Sequence, residues 1–333
     1  MKKIDVAVIG LGVGFWHLNA YLKSKNINNI FICDFNKNLE KKIQRISKRI
    51  VISTFKNILK NDKIKIVSIA SYDNFHCTQI TQSFNHKKNV FVEKPMCMSK
   101  NELNKILKKQ RQTKKYLSSN LVLRANPLFI NIKKKLKTGT FGKVFYIESD
   151  YLWGRVNKFY GWRSKLNYYS KIYGAAVHAV DLVIWLIGEK PKFVFAEGNK
   201  IGTNKKMRFN SFVILNLIFK NNLIVKITGN GPCVHPHFHG LKIYGTKKTF
   251  THNYNNSKYF LKNKINNLIL KNSIYPAKKT RSRVIESFIK GVINKKPNLF
   301  IADTESVYDI MDICFAAEES MLRKKRIKIK YSL

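Results

Sequence analysis

A strand-like run, Ile4 to Ile9, stops on Gly10-Leu11-Gly12-Val13-Gly14, and this restricts the chain more than any other stretch. Glycines there serve a specific geometry. The first makes a tight strand-to-helix turn. The second lets the backbone approach a pyrophosphate seated at the N-terminus of the next helix. The usual third glycine would fall at Phe15, so Gly14 is the candidate for close helix–strand packing. Gly10, Gly12, Val13 and Gly14 are therefore read as a dinucleotide cradle. Asp34 strengthens the reading: it ends the second apolar run, Ile30 to Cys33, 24 residues after Gly10, against an expected offset of roughly 20. A carboxylate there accepts hydrogen bonds from ribose hydroxyls and repels a 2′-phosphate. NAD is the expected cofactor. Asn36, Lys37 and the basic surroundings keep NADP as the alternative.

The rest of the first third continues this pattern. Ile64 to Ala70 and Val90 to Val92 read as further strands, and Leu18 to Leu22 and His76 to Phe84 as helices. Short buried strands separated by helices indicate a parallel, doubly wound sheet. The pattern changes after about residue 120. A helix at Pro127 to Leu136, a long strand at Lys143 to Trp153 and an apolar helix at Tyr173 to Leu186 come first. Strands at Phe193 to Glu197, Phe212 to Phe219, Leu223 to Thr228 and Leu241 to Tyr244 follow without helices between them. Such a succession predicts an antiparallel sheet. Helices at Arg283 to Ile293 and Thr304 to Arg323 come last, and Thr249 to Lys279 reads as a long loop. The expected fold is an α/β Rossmann domain over 1–120. An α+β domain with an open, mainly antiparallel sheet follows over 121–333.

Charge is the unusual number: 63 Lys and Arg against 19 Asp and Glu, or +44. Such a balance suggests nucleic acid or an anionic membrane. Yet 52 of the cations are Lys, Asn and Ile are also abundant, and the cations spread along the whole chain. A/T-rich codons and a solvated surface account for this, so no specific nucleic-acid partner is expected. No run of 18 apolar residues occurs, so no membrane span is expected. The five cysteines, Cys33, Cys77, Cys97, Cys233 and Cys314, are widely spaced, which points to a reducing, cytoplasmic setting.

Glu93-Lys94-Pro95 directly follows the strand Val90 to Val92. Ligands of open α/β sheets bind at the carboxyl ends of the strands, so Lys94 is placed to polarise a hydroxyl or carbonyl and to stabilise developing negative charge. At this point the chain resembles the Gfo/Idh/MocA family of glucose–fructose oxidoreductase and inositol dehydrogenase. The likeness runs through Gly10-Leu11-Gly12 with His17, Ala70 to His76, Glu93-Lys94-Pro95, Thr138 to Gly142, Gly161-Trp162-Arg163, Gly174 to Asp181 and Tyr244-Gly245-Thr246.

The resemblance implies an oxidoreductase that moves hydride between a nicotinamide cofactor and a hydroxyl of a sugar, cyclitol or sugar derivative. It implies that Ser71, Asn74, His76, Glu93, Lys94, Trp162 and Arg163 join the glycine turn and Asp34 in holding the cofactor. Lys94 and His178 become the catalytic pair, and Arg124, His178 and Asp181 join Lys94 in binding substrate. Many members carry an aspartate four residues before the histidine; here that position is Gly174. This departure leaves a non-catalytic NAD-binding sensor as an alternative, beside a nucleotide-sugar enzyme of surface-polysaccharide biosynthesis. A homodimer or homotetramer is expected by the same analogy.

His235, His237 and His239 alternate and would share one face of a strand. Pro236 lies inside the run, and no metal site is assigned. Tyr168 and Tyr169 either line the substrate cleft or pack, and Cys233 is read as inert. Binding of the protein to duplex DNA, followed by fluorescence anisotropy, should vanish by about 200 mM salt; a complex that survives would establish a specific nucleic-acid site.

Overall fold

The computed structural model describes residues 3–166, 168–203, 207–261, 268–271 (backbone only) and 280–333. The chain divides into two compact units, Met1–Ala125 with Lys279–Tyr308, and Asn126–Lys278 with Asp309–Leu333.

The first unit alternates strand and helix: β1 (Ile4–Ile9), α1 (Gly14–Lys23), β2 (Ile27–Cys33), α2 (Lys37–Gln44), β3 (Ile50–Ile52), α3 (Phe55–Lys60), β4 (Ile64–Ile69), α4 (His76–Asn85), β5 (Asn89–Val92), α5 (Lys100–Thr113) and β6 (Leu117–Ser119). All six strands are parallel, in the order β3-β2-β1-β4-β5-β6. β1 is buried at every position and β4 at all but one, as strands covered on both faces must be. The order reverses direction between β1 and β4, where such sheets bind their ligands.

The second unit opens with α6 (Pro127–Lys137), β7 (Val144–Leu152), a π turn at Ile172–Ala176 and α7 (Val177–Ile187). β8 (Phe193–Asn199), β9 (Phe212–Ile218), β10 (Ile224–Asn230), β11 (Phe238–Gly245), β12 (Lys248–His252), β13 (Asn256–Leu261) and β14 (Leu268–Lys271) follow. They form a nine-stranded sheet, completed by a short final strand, in which only β7 and β10 pair in parallel. Ile147, Ser149 and Tyr151 of β7 are buried, while Glu148 and Asp150 between them are half-buried. One face of the sheet therefore carries the core. α7 is apolar on nearly every side and correspondingly buried.

Two elements depart from the sequence reading. Thr249 to Lys279 is not one long loop: β12, β13 and β14 lie within it, and the remainder falls outside the described residues apart from short connections. The alternation of these strands is hidden among Lys and Asn residues on the solvated face. The second departure is at the domain boundary. Residues 279–308 join the first unit rather than the second. Their helix, α8 (Ser282–Asn294), buries Val284, Ile285, Phe288 and Ile289. Phe288 meets Phe91 of β5 at 5.6 Å and Phe300 at 4.9 Å. The apolar stripe of α8 thus covers the parallel sheet, a pairing across about 200 residues that no local pattern announces. α9 (Thr304–Arg323) and β15 (Ile327–Lys328), which pairs with β8, end the chain.

α9 carries a buried acid. Glu318 is 5% exposed, and neither carboxyl oxygen has a hydrogen-bond partner among the described residues. Burial pushes its pKa from 4.5 to about 8, because the ion is poorly solvated there. The folded state therefore holds this proton more tightly than the unfolded chain. Its contribution is complete below about pH 4.5 and is lost progressively as pH rises toward about 8. Glu318→Gln should raise the thermal unfolding midpoint by several degrees at pH 8 and leave it nearly unchanged at pH 5. Equal midpoints at pH 8 would contradict this account.

Candidate active site

The glycine turn lies at the carboxyl end of β1. Gly10 has φ +84°, and a Cβ on it would fall 2.5 Å from the Ala70 carbonyl oxygen. Only glycine fits, because the turn presses against the end of β4. Gly14 does what the absent third glycine would do: a Cβ there would meet Val8 at 3.0 Å and Ala70 at 3.1 Å. Nothing lies within 4 Å of a Cβ placed on Gly12, so the backbone there faces open space. α1 starts without a side-chain cap after Val13, leaving first-turn N–H groups for an anion. The residues fit a dinucleotide.

Asp34 follows β2 and is 7% exposed. One carboxylate oxygen accepts from the Leu11 N–H at 2.5 Å and the other from the Asn36 N–H at 2.8 Å. Asp34 thus ties the glycine turn while keeping lone pairs for ribose hydroxyls. Lys37 is turned away from a 2′-phosphate role: its ammonium donates to Glu40 at 3.0 Å and to the Asp34 carbonyl at 2.9 Å. This arrangement favours NAD.

Beneath the Glu-Lys-Pro segment lies a buried polar chain. His17 Nε2 donates to Glu93 Oε1 at 3.0 Å, and Asn120 donates to the same oxygen at 2.6 Å. The Lys94 N–H reaches the second Glu93 oxygen at 3.3 Å. His17 Nδ1 contacts the Ser68 hydroxyl at 3.2 Å, which meets the Tyr21 hydroxyl at 2.9 Å. Burial alone would push the Glu93 carboxyl up. Hydrogen bonds from His17 and Asn120, with the charges of His17 and Lys94, outweigh it and hold the pKa well below the usual range. Through the Lys94 N–H, Glu93 ties the backbone of Lys94 to this chain. His76 is an anchor as well: its ring nitrogens face the Pro95 carbonyl at 2.7 Å and the Ser71 carbonyl at 3.2 Å. The Ser71 hydroxyl donates to Gln79 at 2.7 Å, and Asn74 is exposed. Arg124 is 3% exposed; it donates to the Ile301 carbonyl at 3.3 Å and pairs with Asp303 at 3.5 Å. Both partners lie in the segment that returns to the first unit.

In the second unit, His178 is the second residue of α7, just after the π turn. It belongs to a cluster that the sequence pattern did not reveal. Tyr151 of β7 stacks on His239 at 4.3 Å, contacts His178 edge-on at 5.7 Å, and its hydroxyl meets His237 Nε2 at 3.0 Å. The strand register pairs His239 with Tyr151 directly. His235 lies outside the cluster and packs on Tyr254 at 5.7 Å. Among the described residues, no group of three or more His, Cys, Asp or Glu could hold a metal ion. Asp181 is fully buried one turn beyond His178. Burial, with the charges of Asp181 and Asp312, raises the Cys314 thiol pKa. Trp162 and Arg163 stack on each other at 4.2 Å.

Two family descriptions match the chain: "Oxidoreductase family, NAD-binding Rossmann fold" over residues 4–121 and "GFO/IDH/MocA C-terminal domain" over 129–251. The chain belongs to the Gfo/Idh/MocA oxidoreductase family. Myo-inositol 2-dehydrogenase of Thermotoga maritima is 19% identical over 98% of each chain. Putative oxidoreductase YteT of Bacillus subtilis is 25% identical, over 43% of this chain but only 35% of its own length. The crystal structure of myo-inositol 2-dehydrogenase from Lactobacillus plantarum superposes with a TM-score of 0.84 at 18% identity, covering 99% of this chain and all of the other. At that identity the likeness shows a shared fold. Within this Gfo/Idh/MocA frame, the cofactor is NAD.

The two glycines separate fold from binding. NAD or NADH at 100 times its dissociation constant should stabilise the wild type by about 2.7 kcal/mol. Gly12→Val should abolish that thermal shift while leaving the unliganded midpoint unchanged. Gly10→Ala should lower the unliganded midpoint as well, since φ +84° and the Ala70 carbonyl oppose it. A Gly12→Val protein that still shifts with NADH would displace the cradle from this turn.

Proposed function

We propose that this protein is an NAD-dependent dehydrogenase of polyols, with a cyclitol or related sugar hydroxyl as substrate. The observation that carries the reading is Lys94, held at the carboxyl end of β5 by the buried Glu93 pair, in a unit whose glycine turn fits NAD. The inositol dehydrogenases among its relatives support the substrate class. When bound, NAD supplies the hydride acceptor. Lys94 donates to the reacting oxygen and stabilises the negative charge that develops on it. His178 is the general base that takes the hydroxyl proton, suited to neutral pH by its imidazole. Reduction reverses these roles.

We infer a reducing, cytoplasmic setting from the five free cysteines. No described helix is long and apolar enough to cross a membrane. A homodimer or homotetramer is supported by the open face of the nine-stranded sheet. Phe193, Ile218, Ile224, Tyr146, Tyr244 and Phe260 fall in one row across it. Ile224 is 47% and Phe260 38% exposed. Such a stripe suits a second copy of the chain.

Lys94→Ala should lower turnover of myo-inositol or another accepted polyol by orders of magnitude while NADH binding, read by thermal shift, is largely kept. Near-normal turnover in that variant would remove Lys94 from the chemistry. A wild type that binds NADH but oxidises no polyol would favour the sensor reading.

A further inference from the structure

Phe35 follows Asp34 directly and is 78% exposed, the most exposed aromatic ring among the described residues. The strand register sets its place. Ile9, the last residue of β1, pairs with Cys33 of β2 on one side and with Ile69 of β4 on the other. The segments that leave β2 and β4 therefore flank the Gly10 turn. Phe35 stands on the first segment and Tyr72 on the second, and their rings meet at 5.7 Å, tilted by 51°.

The backbone beneath Phe35 is fixed. The Asp34 N–H donates to the buried Glu40 at 2.7 Å, and the Asp34 carboxylate accepts from the Leu11 and Asn36 N–H groups. Tyr72 braces one side of the phenyl ring, and the high exposure shows that a face remains open. The polar side chains that follow are engaged. The Asn36 side-chain oxygen accepts from the Leu39 N–H at 3.0 Å, and the Lys37 ammonium donates to Glu40 and to the Asp34 carbonyl.

The covalent structure of NAD decides what reaches this ring. Asp34 is placed to hold the hydroxyls of the adenosine ribose. The purine is bonded to C1′ of that ribose, next to the carbon that bears the 2′-hydroxyl. A base whose ribose lies on Asp34 is therefore delivered to the next residue, Phe35. What Phe35 offers it is a π-face, and stacking on such a face is tolerant because every base has one.

We propose that the purine of the dinucleotide stacks on Phe35, braced by Tyr72, and that the base is selected by its ring face and not by its edge. The protein accordingly accepts dinucleotides in which another purine, such as hypoxanthine, replaces adenine. The inference rests on the NAD cradle and not on turnover, so it holds for a sensor as for a dehydrogenase.

The test measures dissociation constants by calorimetric titration for NADH and for reduced nicotinamide hypoxanthine dinucleotide. Hypoxanthine keeps the purine rings but reverses donor and acceptor along one edge. Wild type should bind the two within about threefold of each other, since stacking is blind to that reversal. Phe35→Ala should weaken both by about tenfold, the scale of one lost stacking contact. Phe35→Trp should restore both, and its added tryptophan emission should be quenched by ADP-ribose, which carries the base without nicotinamide. Unliganded melting midpoints should not move, because the ring is exposed. A loss of less than about threefold in Phe35→Ala would overturn the stacking, and a larger gap than that between the two dinucleotides in wild type would overturn selection by ring face. A wild type that does not bind NADH would bring down the cradle and the proposal together. Failure to oxidise any polyol with NADH binding intact bears on the dehydrogenase reading alone.

Discussion

The first unit depends on one buried carboxylate–imidazole contact, between Glu93 and His17. Glu93 and His17 lie out of water beneath the turn that carries Lys94, where a lone carboxylate would be costly. The pair is acceptable because the remaining hydrogen-bonding capacity is used: Asn120 and the Lys94 N–H hold Glu93, and Ser68 links His17 to Tyr21. These residues come from α1, β4, the end of β5 and the segment after β6, so one network binds four elements at the carboxyl edge of the sheet. Removing one partner would leave an uncompensated buried charge, which is far more damaging than the pair is stabilising. Lys94 is tied into this network through its backbone N–H.

The second unit uses a different strategy. Tyr151 organises His178, His237 and His239 through stacking, an edge contact and one hydrogen bond. This is possible because β7 and β11 are antiparallel neighbours and bring Tyr151 and His239 into register. The π turn then delivers His178 to this cluster. Gly174 within it leaves room for the Tyr169 ring, whose atoms a Cβ there would meet at 2.7 and 2.8 Å.

Much of this was legible in the chain itself. The parallel sheet followed from short apolar runs interrupted by helical spacing, and Gly14 was correctly separated from the Phe15 position. The Gfo/Idh/MocA membership rested on motifs in order, and the comparisons bear it out. Thr249 to Lys279 was illegible because β12 and β13 present Lys and Asn outward and short apolar sets inward. Arg124 offered nothing in its neighbourhood to reveal its ties to Ile301 and Asp303, since both partners lie about 180 residues away.

The sequence by itself determined what depends on backbone freedom and side-chain period. Gly10 needs a positive φ, β1 needs burial on both faces, and Asp34 ends a strand whose neighbour is the glycine turn. These are short-range constraints, written where they act. The tertiary structure alone decided which buried groups would meet. His17 and Glu93 are 76 residues apart, α8 crosses back to cover β5, and Tyr151 finds His239 through strand register. Those meetings depend on how distant elements pack and satisfy one another's charges and hydrogen bonds, a requirement that no local stretch of the chain encodes.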